Sequence, residues 1–147
     1  MQSKQLATVG QRTFVVVFDE GEDVIPALEG FAEAQDLTAA EFTGLGAFSR
    51  AVLGFFDMES RDYERIEVDE QVEVLTLVGN VAEHDGKTKL HPHVVLGRRD
   101  GSALGGHLLE ATVRPTLEVM VTESPRHIRR RTDPRTGLPL IDLERGD

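Results

Sequence analysis

The chain has 147 residues, 39% of them hydrophobic, which is enough to bury the core of a single domain spanning 1–147 and too little for two. It contains no cysteine, which excludes a disulfide framework, a thiolate metal site and a cysteine nucleophile. A formal net charge of −10, with one Tyr and no Trp, argues against a general nucleic-acid surface, because phosphate binding needs clustered Lys and Arg and base stacking needs aromatics.

The first residues, Met1-Gln2-Ser3-Lys4-Gln5-Leu6, lack the apolar stretch of a secretory signal, and no run of eighteen apolar residues follows. The expectation is a cytoplasmic protein with no membrane span. Thr13-Phe14-Val15-Val16-Val17-Phe18 predicts a buried strand, bounded by the acidic run 19–23. Val24, Ile25, Leu28, Phe31 and Ala32 then fall on one helical face, with Pro26 near the start where proline is tolerated, so an amphipathic helix is expected. Residues 40–48 and 51–57 read as two strands interrupted by glycine, with Gly44 and Gly46 marking a bend. Further strands are expected at 63–68, 72–81, 90–96, 105–113 and 116–122. His84-Asp85-Gly86-Lys87 reads as a turn, which makes His84 an exposed loop histidine and not a ligand. One helix followed by a strand-rich remainder predicts an α+β domain, a largely antiparallel sheet packed with one main amphipathic helix.

Three of the five histidines fall within seventeen residues, as His91-Pro92-His93 and Gly105-Gly106-His107. In a strand, His91 and His93 project from one face, roughly 7 Å apart at their Cα atoms. Arg98-Arg99-Asp100-Gly101-Ser102 reads as a turn that folds the chain back and carries His107 alongside them. Three imidazoles suit Zn²⁺ or another divalent metal and leave one coordination position for water or substrate. The alternative is that each is a satisfied structural histidine. Pro92 cannot donate a ladder hydrogen bond, so this stretch is expected at a sheet edge or irregular point.

The segment 124–147 carries six Arg against four acids, while the rest of the chain is strongly acidic. Arg126, Arg129, Arg130, Arg131 and Arg135 form its basic cluster, read as a solvated or subunit-bridging run in preference to a nucleic-acid contact.

Taken in order, Gly44-Leu45-Gly46-Ala47-Phe48-Ser49-Arg50-Ala51, Leu75-Thr76-Leu77-Val78-Gly79-Asn80, Leu90-His91-Pro92-His93-Val94-Val95-Leu96-Gly97, Asp100-Gly101, Gly105-Gly106-His107 and Thr116-Leu117-Glu118-Val119 resemble the PPC (plant and prokaryote conserved) domain family over nearly the whole chain. The resemblance implies an α+β fold, assembly as a homotrimer and a metal held by His91, His93 and His107. In plants the domain accompanies AT-hook motifs that bind DNA. The Arg-Gly-Arg-Pro core of such a motif is absent here, so DNA binding by this chain alone is not expected.

Glu118 is the candidate catalytic residue, for proton transfer or for supporting the ligands, with a surface carboxylate on an alternating strand as the alternative. Asn80 is read as capping a strand end beside Gly79 in preference to orienting a ligand. The functional expectation is a metal-binding module for a small molecule or a protein. The alternatives are a zinc-dependent enzyme acting on a small carbonyl or carboxylate compound and a DNA-associated regulatory protein.

Overall fold

Alternation of buried and exposed side chains sets most of the architecture, as in Thr13–Phe18, where Phe14, Val16 and Phe18 turn inward. The structure, a computed structural model, describes residues 1–7, 11–124 and 127–143. Its elements are β1 (Gln2–Ala7), β2 (Thr13–Phe18), α1 (Val24–Ala34), β3 (Ala39–Asp57), β4 (Asp62–Val68), β5 (Val72–His84), β6 (Lys87–Gly97), β7 (Ala103–Glu123), β8 (Arg130–Thr132) and β9 (Pro139–Ile141). No helix among the described residues is long and apolar enough to cross a membrane.

The α+β expectation is overturned: strands hold 65% of the residues and helix 9%, so this is a largely β fold. The main sheet runs β1-β2-β7-β6-β5-β3-β4, and β7 also pairs with β3. The pairings β7 to β6, β6 to β5, β5 to β3 and β3 back to β7 therefore form a closed antiparallel circuit. A sheet closed on itself supplies its own second layer and needs no helical one. The helix covers only part of the core: α1 packs on β6 and β7 and buries Val24, Leu28, Phe31 and Ala32, with Phe31 edge-on to Phe14 at 5.4 Å.

Two supposed breaks are passages through continuous strands. The expected strands 40–48 and 51–57 are one, β3, and the expected strands 105–113 and 116–122 are one, β7. Opposite Gly46 to Phe48, the register on β7 jumps from Leu117 to Val113, so Pro115 sits in a bulge where its missing N–H costs no ladder bond. Gly46 is held there by close approach and not at a simple bend, because a Cβ would lie 2.3 Å from the Thr116 carbonyl oxygen. Bulges bend and twist strands, which lets strands as long as β3 and β7 wrap around the core.

The hairpin β8–β9 folds back over the end of β5, where the Glu83 amide donates to the Ile128 carbonyl at 2.9 Å. Arg126 of the expected basic cluster lies outside the described residues.

Candidate metal centre

The histidines are assembled by strand register. β6 pairs with β7 through the turn at 98–102, and His93 lies directly opposite His107. His91, two residues back, shares the face of His93 and lies opposite Asn80 of β5. The β6–β7 ladder begins at His93, so residues 87–92 are laddered only to β5, and Pro92 occupies a local edge as its missing N–H requires.

All three residues offer ligand atoms within 4.8 Å of one another. The Nε2 atoms of His91 and His93 are 3.3 Å apart, and two nitrogens bound to one tetrahedral zinc at its usual bond length are separated by about 3.3 Å. His107 Nδ1 is buried without a hydrogen-bond partner, which is uncommon for a polar atom and suits a donor set completed by a cation. Burial, then the neighbouring imidazoles of His91 and His93, pushes the His107 imidazole down to about 4. His91 is also lowered, by burial first and then by Arg130 and His93. Both rings are therefore neutral at pH 7, the state a metal ligand requires.

Other residues complete the surroundings. Tyr63 of β4 stacks on His107 with ring centroids 4.8 Å apart and planes 28° apart. Gly54 of β3, opposite His107, makes this possible, because a Cβ there would lie 2.6 Å from Tyr63 Cδ1. Beside the triad is a cavity of about 160 Å³, lined by Tyr63, Leu90, His91 and His107 from the sheet and by Arg130 and residues 138–140 from the C-terminal hairpin.

The solvated-run reading fails for Arg130, which is buried, donates from Nη1 to the Pro139 carbonyl at 2.9 Å and from Nη2 to Asn80 Oδ1. Asn80 is accordingly in the interior of β5 and not at a strand end. Arg129 and Arg131 pair with Glu83 at 3.7 Å and with Asp142 at 3.4 Å.

The structure does not bring Glu118 to the triad. Exposed on β7, it pairs with Val17 and Leu45, eleven residues along the strand from His107. His84 also stays apart, at the end of β5 with its Nε2 3.2 Å from Thr132 Oγ1. Sequence reasoning missed Tyr63, Gly54 and Arg130 as parts of the site. Tyr63 is the only tyrosine of the chain, which is a weak signal, and nothing local separates Arg130 from its neighbours.

A family model, the Plants and Prokaryotes Conserved (PCC) domain, matches residues 6–125. The chain belongs to this family. Among solved structures, the domain is similar to a metal-containing protein from Archaeoglobus fulgidus, at 38% identity and TM-score 0.82 over 88% of this chain and 92% of that one. A candidate DNA-binding protein from Bacteroides thetaiotaomicron matches at 28% identity and TM-score 0.87 over 97% and 99%. A plant- and prokaryote-conserved protein from Pyrococcus horikoshii matches at 27% and 0.84 over 96% and 94%. A search of curated proteins finds no match.

Tyr63 makes the centre observable, since no other tyrosine or tryptophan contributes to the ultraviolet spectrum. Burial disfavours the phenolate, so its ionisation is expected above the ordinary value of 10.0. Gly54→Ala forces the ring off His107 and should move the midpoint back toward the ordinary value. Identical difference-absorbance titrations of the two proteins would contradict the packing described.

Proposed function

We propose that the chain is a PCC-family domain that holds one divalent cation, zinc, on His91, His93 and His107 and presents it to a small molecule. The observation that carries this reading is the converged set of three histidine nitrogens, two of them at the spacing of a tetrahedral zinc site. The Archaeoglobus fulgidus relative, a metal-containing protein, supports it. When bound, zinc supplies Lewis acidity toward a carbonyl or carboxylate oxygen, or lowers the pKa of a water. The chain's own residues exclude solvent on one side: Tyr63 covers His107, and Leu90 with residues 138–140 makes an apolar wall. That cavity beside the histidines favours, as a second reading, a zinc-dependent enzyme acting on a small carbonyl or carboxylate compound.

The purified protein should carry about one zinc per chain, and His91→Ala or His107→Ala should lose most of it. Elemental analysis of all three decides this, and equal metal content in each would sink the proposal.

We also propose a homotrimer. Thr43 lies between Val78 and Met120 in the ladders, and Thr76, on the face of Val78, lies opposite Val95. Val78, Val95 and Met120, 44%, 38% and 40% exposed, thus stand as exposed apolar side chains on one face of neighbouring strands, around Thr43 and His93. Val78→Asp is expected to shift light scattering from a three-chain mass toward that of one chain. A wild-type protein that already scatters as a monomer would refute the assembly.

The candidate DNA-binding relative does not carry that role to this chain. The net charge is −10, and of the tail arginines with described side chains Arg129 and Arg131 are engaged by carboxylates and Arg130 by burial, which leaves exposed Arg135 alone for phosphate. Fluorescence anisotropy with duplex DNA should stay flat at physiological salt. Micromolar binding that weakens steeply with added salt would restore the DNA reading.

A further inference from the structure

We infer that the cavity beside the triad is built for a small carboxylate, whose charge pairs with the buried guanidinium of Arg130 while the rest of the molecule faces the imidazoles and the apolar wall. The inference rests on the metal reading above, because the ligand would reach the cation through His91 and His107, which line the same cavity.

The argument starts from a charge without a counter-ion. Arg130 is only 7% exposed, and among the described residues no carboxylate lies within ion-pair distance of it. Its neighbours in sequence have such partners, since Arg129 takes Glu83 and Arg131 takes Asp142. The Arg130 contacts are two neutral oxygens, the Pro139 carbonyl and Asn80 Oδ1, and its Nε is buried with no acceptor. Neutral acceptors fix the orientation of a guanidinium without cancelling its charge, and a buried charge is tolerated when something of opposite sign completes it. Burial pushes the guanidinium down from its ordinary pKa, yet an arginine stays protonated. The imidazoles of His91 and His107, which line the same cavity, supply no negative charge in either protonation state.

The remaining features select the class of anion. A guanidinium is a planar fork matched to the two oxygens of a carboxylate. The cavity of about 160 Å³ has room for a compact organic acid beside Arg130. Leu90, Leu138, Pro139 and Leu140 call for hydrocarbon, which inorganic phosphate lacks. Lys89, exposed at the edge of the same cavity, adds a second positive charge at its mouth. The C-terminal hairpin thereby acquires a role: it carries both the anion-binding residue and one wall, so it sets what the metal centre accepts.

The test uses the zinc-loaded full chain, with isovalerate as probe and isovaleramide and inorganic phosphate as controls, read by calorimetry, and with zinc content measured on every sample. Isovalerate is expected to bind about tenfold or more tightly than either control. Arg130→Gln should weaken isovalerate by about tenfold or more and erase its advantage over the amide, at unchanged zinc content. Arg130→Lys should keep part of that advantage. The inference is overturned by equal binding of acid and amide, by phosphate binding as tightly as isovalerate, by unchanged affinity in Arg130→Gln, or by zinc-loaded wild type that binds no isovalerate. Should Arg130→Gln fail to fold by circular dichroism, Leu140→Trp narrows the cavity and leaves the guanidinium in place. Lost binding in a folded Leu140→Trp protein supports the site, and unchanged binding overturns it. Wild type that holds no zinc but still binds isovalerate through Arg130 would overturn the metal reading and leave this inference standing.

Discussion

The pairing of β7 first with β6 and then with β3 is the constraint on which the rest of this molecule depends. Near its start β7 is hydrogen-bonded to β6, and from His107 onward it runs against β3, so His107 is the residue at which one ladder hands over to the other. That position puts it opposite His93 on one side and Gly54 on the other. The closure that buries Leu53, Leu77, Leu96, Leu108 and Leu117 in one core also brings the three imidazoles together. Slipping the β6–β7 register by one residue would turn His107 to the other face of the sheet and expose core side chains with it. Site geometry and core stability are therefore enforced by the same hydrogen bonds.

The chemistry of the centre follows from where that junction lies. Within one chain it sits between an exposed His93 and a partly buried His107, so one flank is open and the other is partly covered. On the covered flank the stacked Tyr63 ring and the neighbouring apolar residues raise the cost of charging an imidazole, and the nearby Arg130 raises it further for His91. The result is a set of lone pairs held ready by environment and not by hydrogen bonds to carboxylates. A cation is the partner such a set lacks, and an anion is the partner Arg130 lacks.

The arginine-rich segment shows how composition misleads when burial is unknown. Five arginines at 126–135 in an acidic protein look like one solvated patch, but in the hairpin Arg129 and Arg131 reach carboxylates while Arg130 between them turns inward. The alternation of a strand, three residues long in β8, separates neighbours of identical type into different roles.

The sequence by itself determined what depends on short-range periodicity. A period of two put His91 and His93 on one face, the turn at 98–102 returned His107 to them, and Val24, Leu28, Phe31 and Ala32 marked the buried face of the helix. It could not determine closure. Gly44, Gly46 and Pro115 are breakers in an isolated strand, and only a partner strand at close range turns them into bulges within the continuous β3 and β7; likewise only closure of the sheet makes one helix a minor element of a largely β fold. The tertiary structure alone decided that Tyr63 covers His107, that Arg130 enters the cavity and that Glu118 pairs with Val17 and Leu45 away from the histidines. Each of these is a contact or a separation set by pairing between strands distant in sequence, and local propensity carries no information about which strands will pair.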